Sequence, residues 1–196
     1  MDDLSRQWWP QAQSRIETRA RAGSAPVISG YASVFFDEEK PGTEYRLGDG
    51  YVEHVHPDAF SRSLGEKQDT LGLFNHDASL ILGRVSAGTL KLSTDSVGLR
   101  YDIELAAQTS TARDVVENIK VGNITGSSFG FIVRESEVEH SGEKTIRVIR
   151  DVDLFDVGPV SSPAYPATTA DQVRRRSAIF LDFATKRISE LAKNED

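Results

Sequence analysis

The most constraining feature of this sequence is a succession of short β-type stretches separated by turn residues. Between positions 27 and 157, runs rich in Val, Ile, Leu, Phe and Tyr alternate with clusters of Gly, Asp, Asn and Ser. Short runs bounded by turn residues are typical of β strands. The predicted strands cover residues 27–36, 51–55, 70–74, 80–85, 90–93, 99–105, 127–133, 144–149 and 151–157.

Two pairs of these runs are expected to form antiparallel hairpins. The runs at 90–93 and 99–105 alternate between apolar and polar residues, and the turn residues 94–98 lie between them. The run at 144–149 can likewise return along the run at 127–133. Since the chain has no internal repeat, this pattern predicts a β-barrel or a sandwich decorated by helices.

Three segments carry helix signals. A short helix is expected at 57–64, where a proline opens a stretch with apolar residues four positions apart. Residues 109–120 follow Ser/Thr capping residues and precede Gly122, which predicts a second helix. A third helix is expected at 171–194, where apolar residues recur near one face.

The length of the chain and the distribution of its strand and helix patterns indicate one folded domain with a segment at each end. A chain of 196 residues suits a single domain of moderate size. Residues 1–25 show no persistent strand or helix period, which predicts a weakly ordered N-terminal arm. We expect the folded domain to span residues 26–170 and a C-terminal helix to occupy residues 171–196.

The composition argues against several classes of protein. Because the chain has no cysteine, it cannot form disulfides, thiolate zinc sites or a cysteine nucleophile. Its net charge of −7 argues against a protein that coats nucleic acid, since phosphate contacts need a basic face. No apolar run is long enough for a membrane helix, and residues 1–21 are too polar for a signal peptide. We expect a soluble protein, consistent with a reducing cytoplasm.

Four histidines are the first candidates for chemistry. His76 lies between two apolar runs and is flanked by Asn and Asp, so it fits either a turn or a catalytic base. His54 and His56 would share one face of a strand, as two metal ligands could, but no third ligand is evident nearby. His140 falls in a charged hairpin loop, where simple solvation is expected.

A serine pair and one acid complete the candidates. Ser127 and Ser128 follow a glycine at a helix-to-strand junction, which suits an accessible nucleophile but is also a common turn composition. Asp156 lies in an apolar stretch and, if it faces inward with Leu154, its carboxylate needs a partner. An edge strand facing water would remove that need. A histidine Nδ1–H would also meet it, and would fix the tautomer that a serine hydrolase uses.

Several blocks, in this order and spacing, resemble one protein family. The similarity is to the prohead maturation proteases of tailed phages of the HK97 type, and it runs from about Gly30 to Ala170. The blocks are GYASVF (30–35), PDAF (57–60), LFNHD (73–77), GSSFGF (126–131), DVGPV (156–160) and PAYPA (163–167).

The resemblance implies a serine peptidase of the α+β class, a mainly antiparallel β-barrel ringed by helices, similar to the herpesvirus assemblins. The family's general base corresponds to His76, and its nucleophile, the Ser before Phe-Gly-Phe, corresponds to Ser128. Asp156 takes the orienting position, where an acid, usually Glu, is found. The herpesvirus relatives use a second histidine there, and this chain has none in the matching region. Gly158 stands where Ser is common, and Asp58 where Gly is usual.

The resemblance also implies partners and a location. The implied substrates are the scaffolding segment of the major capsid protein and the protease itself, cut during head assembly. The implied location is the assembling prohead in the host cytoplasm. Neither nucleic acid nor a membrane is an expected partner, self-association is compatible with this role, and no cofactor or metal is expected.

Two other functions fit the residues. The first is an inactive structural or scaffolding domain of the phage head with the same barrel. The second is a carboxylate-based hydrolase that uses Glu53, Asp77 or Asp102. The run Arg174–Arg176 fits a self-cleavage or docking site as well as an ordinary solvated helical face.

Overall fold

The computed structural model describes residues 17–19, 26–40, 42–106 and 109–161. These ranges fold mostly into strands, with ten strands and two helices. The elements are β1 (Glu17–Arg19), β2 (Val27–Val34), β3 (Tyr45–Gly48), β4 (Tyr51–Val55), α1 (Ser61–Gly65), β5 (Leu71–Leu73), β6 (Ile81–Arg84), β7 (Leu90–Thr94), β8 (Gly98–Glu104), α2 (Ser110–Lys120), β9 (Gly126–Ser141) and β10 (Lys144–Val160).

The first sheet is antiparallel and has the order β1–β2–β8–β7. The hairpin predicted from residues 90–93 and 99–105 is confirmed, because β7 and β8 pair antiparallel. Asp95 forms the turn, since its carboxylate accepts hydrogen bonds from the backbone N–H groups of Val97 and Gly98.

The second sheet is mixed and is organised around β10. On one edge β9 pairs antiparallel with β10 along its length, but the register differs from the predicted hairpin, because residues 144–149 pair with 136–141 and residues 127–133 pair with 152–159. On the other edge β10 pairs in parallel with β4 over residues 145–149 and with β5 at Asp156 and Val157. β3 pairs antiparallel with β4, and β6 pairs antiparallel with β5. β10 thus brings together strands that are far apart in the sequence.

One apolar core is shared by both sheets and by α2. Burying a large aliphatic or aromatic side chain stabilises a fold by about 1.5–3 kcal/mol, so this common core is what holds the sheets together. Its members include Ile28, Leu99, Tyr101 and Ile103 from the first sheet, Ile149, Val152, Leu154 and Val157 from β10, and Ala112, Val115 and Val116 from α2.

The helix predicted at 109–120 is confirmed as α2. Thr109 caps it by accepting a hydrogen bond from the Ala112 N–H (3.3 Å), and Gly122 follows its end with a left-handed φ of 81°. The helix predicted at 57–64 is shorter and begins at Ser61. Within the described ranges neither helix is long and apolar enough to cross a membrane.

The predicted mainly β class with a few helices is confirmed, but no closed barrel is found in the described part of the chain. The strands there form two sheets, and no ladder of backbone hydrogen bonds joins one sheet to the other. Two helices accompany the sheets, so no ring of helices surrounds them in these ranges. The physical reason is that the alternation of apolar and polar residues is common to barrels and sandwiches, and closure depends on which edge strands meet.

The predicted segments at the two ends fall largely outside the described residues. Of the arm at 1–25 only residues 17–19 are described, and they form β1, which pairs with β2. The C-terminal helix predicted at 171–196, with Arg174–Arg176, lies outside the described residues. β3 lies between the predicted strands at 27–36 and 51–55, where no strand is predicted.

A network of ion pairs fastens α1 to β10. Arg62 donates from Nε to Asp151 Oδ2 (2.7 Å), from Nη2 to Asp153 Oδ1 (2.6 Å) and from Nη1 to Glu66 Oε2 (3.0 Å). The same Nη2 donates to the backbone carbonyl of Val152. One guanidinium therefore holds three consecutive residues of the long strand.

Asp153 is the most enclosed acid of this network, with a side chain that is 11% exposed. Burial alone would raise the pKa of Asp153, but hydrogen bonds from Arg134, Arg62 and Gln68 outweigh burial and hold the pKa at about 2. Since the pKa in the folded state lies below the unfolded value of about 3.9, the charged group stabilises the fold above that value. The contribution is lost as the pH falls towards 2.

Replacing Asp153 by Asn is expected to lower the free energy of unfolding by about 1–3 kcal/mol at pH 7, because the donors of Arg62 and Arg134 lose a charged acceptor. The difference from the wild type should shrink between about pH 4 and pH 2. Urea unfolding over this pH range measures both effects. Glu117→Gln, which removes an exposed ion pair with Lys120, is the control and should cost much less. Equal losses for the two variants at pH 7 would contradict the expectation.

Candidate active site

A bulge in β10 decides which way Asp156 faces. Leu154 pairs with Phe131 of β9 and Asp156 pairs with Gly130, so Phe155 is the extra residue between the two pairs. In an unbroken strand Leu154 and Asp156 would share a face. With the bulge, Leu154 enters the core while Asp156 lies on the opposite face of the sheet. Asp156 is nevertheless only 4% exposed, so its carboxylate needs a partner.

His76 is that partner. Its Nδ1 lies 2.6 Å from Oδ1 of Asp156, and its side chain is 31% exposed. Because an ionised carboxylate only accepts hydrogen bonds, Nδ1 carries the proton and Nε2 is left free to accept one. The sequence left two possibilities for Asp156, exposure to water on an edge strand or a hydrogen bond from a histidine. In the structure Asp156 contacts a histidine.

His76 lies in a tight loop between β5 and β6. The loop is closed by a hydrogen bond from the Phe74 N–H to the Leu80 carbonyl (3.1 Å). Inside it, the Asp77 carboxylate accepts hydrogen bonds from the N–H and the hydroxyl of Ser79, which stabilises the turn. These donors hold the pKa of Asp77 below its usual value.

The backbone at Asn75 and His76 is left-handed, with φ values of 55° and 57°. Asn and His are among the non-glycine residues that tolerate this region, but two in succession are uncommon. Such conformations persist where the surrounding contacts over-determine them, and they cluster at active sites. The left-handed backbone therefore makes this loop a candidate functional segment.

The two candidate serines face opposite sides of β9. The Ser127 hydroxyl lies 2.8 Å from the Tyr101 hydroxyl, and Ser127 is 8% exposed. Successive residues of a strand alternate between faces, so Ser128 points to the other side and is half-buried. Ser127 is thus a hydrogen-bonded residue of the core, while Ser128 faces away from the core.

The strand register brings Ser128 to the face that holds Asp156 and His76. Ser128 pairs with Gly158, and Gly130 pairs with Asp156. Paired residues of antiparallel strands share a face, so Ser128 and Asp156 are diagonal neighbours, a relation that corresponds to roughly 7–8 Å. Among the described residues no hydrogen bond joins His76 to Ser128. Such contacts are often long before substrate binds.

Gly158 allows β5 to approach β10 beside these residues. A Cβ at position 158 would collide with the backbone carbonyl of Leu73, the last residue of β5. The absence of a side chain at Gly158 therefore allows β5, which leads to His76, to pack closely against β10, which carries Asp156.

The pair of histidines considered as metal ligands has other partners. His54 stacks on Phe36, with ring centroids 3.5 Å apart, and its Nε2 lies 3.1 Å from Glu44. His56 accepts a hydrogen bond from the Asp58 N–H (3.2 Å). In the described part of the chain no three His, Asp or Glu side chains form a group that could hold a metal ion.

The remaining candidates are dispersed over the fold. His140 lies in β9, with its Nδ1 3.4 Å from Thr145 Oγ1. Glu53 is in β4, where burial raises the pKa of its carboxyl against the opposing effect of Arg147. Asp102 belongs to β8 of the other sheet, and Asp77 stabilises the His76 loop.

A protein-family model matches most of the chain. The family model described as caudovirus prohead serine protease matches residues 14–182. The chain belongs to this family. The resemblance found in the sequence is therefore confirmed, and membership indicates a serine peptidase. No curated protein and no solved structure gives a significant match.

Sequence reasoning missed two residues that shape this prohead protease site. Tyr101 fixes Ser127 from the core, and a buried tyrosine hydroxyl that needs a partner was the signal for it. Asn75 belongs to the LFNHD block, but its role went unseen because its side chain contacts Ser161, which follows β10 and lies 86 positions further along the chain. No local pattern could have indicated the contact between Asn75 and Ser161.

Replacing Gly158 by Ala in the prohead protease is expected to lower the free energy of unfolding by about 1–3 kcal/mol, because the new methyl group overlaps the Leu73 carbonyl. Peptidase activity should fall as well, since the loop that carries His76 must move. Gly48→Ala in β3 is the matched control, because a Cβ there meets nothing within 4 Å. Urea unfolding of both variants measures the effect, and equal stabilities would show that the close approach is not limiting.

Proposed function

We propose that the protein is a serine endopeptidase of prohead maturation in which Ser128 is the nucleophile, His76 the general base and Asp156 the acid that orients His76. The observation that carries this proposal is the 2.6 Å contact between His76 Nδ1 and the enclosed Asp156 carboxylate. This contact leaves Nε2 as the basic atom and provides an anion beside the ring. Family membership supports the reaction class.

The choice of Ser128 rests on the orientation of β9. Ser127 is hydrogen-bonded to Tyr101 in the core, whereas Ser128 lies on the same face as Asp156. Gly158 and Gly130, the residues paired with Ser128 and Asp156, carry no side chains on that face.

The proposed reaction has two stages. Ser128 Oγ attacks the scissile carbonyl while His76 Nε2 takes its proton, and the Asp156 carboxylate stabilises the imidazolium through Nδ1–H. The imidazolium then gives its proton to the leaving amine, which breaks the peptide bond and leaves an acyl ester on Ser128. In the second stage His76 takes a proton from water as the water oxygen attacks the ester, and the imidazolium then gives that proton to Ser128 Oγ as the bond between Oγ and the acyl carbon breaks and the new carboxyl end leaves.

The proposed substrates are the scaffolding segment of the major capsid protein and the protease itself, cut inside the assembling prohead. The family indicates a role with capsid or scaffold proteins in general. Asp156 is one methylene shorter than the Glu usual in such proteases, and the short distance to His76 supports an aspartate in this position.

Replacing Ser128 by Ala is expected to abolish cleavage, with a rate loss on the order of 10⁴-fold or more, because no nucleophile remains. The protease is co-expressed with its capsid protein, and mass spectrometry of both chains identifies the cleaved peptides. Ser127→Ala is the matched control: it loses the Tyr101 hydrogen bond and some stability but should still cleave. A fluorophosphonate label on the shells should modify Ser128. Cleavage by Ser128→Ala would overturn the proposal.

The same experiment separates the alternative of an inactive scaffolding domain. Assembled shells that contain uncleaved chains and that take up no label at Ser128 would favour that alternative.

Replacing Asp156 by Asn is expected to reduce kcat by roughly 10⁴-fold, because a neutral amide no longer stabilises the imidazolium and favours the wrong tautomer. Asp77→Asn, in the loop that carries His76, is the control. An asparagine can keep the turn, so the kcat of this variant should remain within about threefold of the wild type. Cleavage assays on both variants decide the matter. A loss confined to Asp77→Asn would instead support a carboxylate-based hydrolase.

A further inference from the structure

Asn75 joins the His76 loop to the end of β10. Its backbone N–H donates to the Pro159 carbonyl (3.1 Å). Its side-chain Oδ1 accepts hydrogen bonds from the backbone N–H of Ser161 (2.8 Å) and from the Ser161 hydroxyl (3.1 Å). Three hydrogen bonds therefore connect this one loop residue to two residues at the end of the strand.

The β5–β10 ladder by itself gives the loop little support. It consists of the pairs that Leu71 and Gly72 make with Asp156 and Val157, and β5 ends at Leu73. Beyond that point Asn75 continues the attachment to β10. The imidazole of His76, three residues past the end of β5, is held in place by such contacts rather than by the sheet.

The attachment lies directly beside the nucleophile strand. In the β9–β10 ladder, Pro159 pairs with Ser127 and Gly158 pairs with Ser128. Asn75 thus ties the loop of the base to the segment of β10 that is paired with the serines. A change in this contact moves His76 relative to Ser128.

The left-handed backbone at Asn75 limits which substitutions can test the role of its side chain. Its φ of 55° suits asparagine and glycine better than alanine. A glycine in its place would keep the backbone accessible while removing the Oδ1 acceptor. An aspartate would keep an acceptor oxygen at the same position.

We propose that Asn75 is a positioning residue that holds His76 in line with Ser128 through its hydrogen bonds to Ser161 and Pro159. This inference rests on the proposed function of His76 and Ser128. Because proximity effects are steep, a displacement of about 1 Å can reduce a rate by roughly 10²-fold. The effect of losing Oδ1 should therefore appear in the chemical step.

The test compares Asn75→Gly, Asn75→Asp and Ser128→Ala in the full chain. The rate at which a fluorophosphonate labels Ser128 is measured first, since it depends on the base but requires no peptide substrate. The kcat and KM are then measured on a peptide that spans the cleavage site found by co-expression. Urea unfolding of each variant monitors stability.

Asn75→Gly should lower the labelling rate and kcat by roughly 10- to 100-fold with little change in KM, while Asn75→Asp should restore both to within about threefold. A merely structural role would lower the unfolding midpoint and leave the labelling rate of the folded protein unchanged. A wild-type labelling rate for Asn75→Gly, or an equally slow Asn75→Asp, overturns the proposal. If Ser128→Ala still cleaves, the proposed function itself fails, and the role of Asn75 fails with it.

Discussion

The bulge at Phe155 is the constraint on which the candidate site depends. It lets Leu154 fill the core and, two residues later, lets Asp156 lie on the opposite face of the same strand. Without it, the carboxylate would point into an apolar core, where an unpaired charge costs several kcal/mol. β10 also contacts the other two parts of the site, because β9 with Ser128 pairs along one edge and β5, which leads to His76, pairs along the other.

The strand is anchored where its register is irregular. The register with β9 shifts around Asp151 as well as between Leu154 and Asp156. Arg62 holds the stretch between these shifts through Asp151, Val152 and Asp153. An irregular strand is held by fewer ladder hydrogen bonds. The ion pairs of Arg62 therefore help to fix its position. The charge network around Arg62 thereby supports the geometry around Asp156.

Local patterns predicted the parts of this fold that depend on neighbouring residues. The turn at Asp95 and the caps at Thr109 and Gly122 could be found because each acts within a few residues. The bulge could not be found, because Phe155 becomes an extra residue only through pairing with β9. The open sheets and the parallel pairing of β10 also depend on which distant edges meet. The site residues were named from the family motif, and the preference for Ser128 over Ser127 gains physical support from the contact with Tyr101.

The three proposed catalytic residues differ in how firmly the fold holds them. Ser128 and Asp156 belong to one long antiparallel ladder whose strands pair over most of their length. His76 stands outside any ladder, in a loop with a left-handed backbone. Segments with few ladder hydrogen bonds open at lower free energy than the centre of a sheet. The fold therefore fixes Ser128 and Asp156 relative to each other, and in the proposed mechanism the alignment of His76 is the variable that sets the rate.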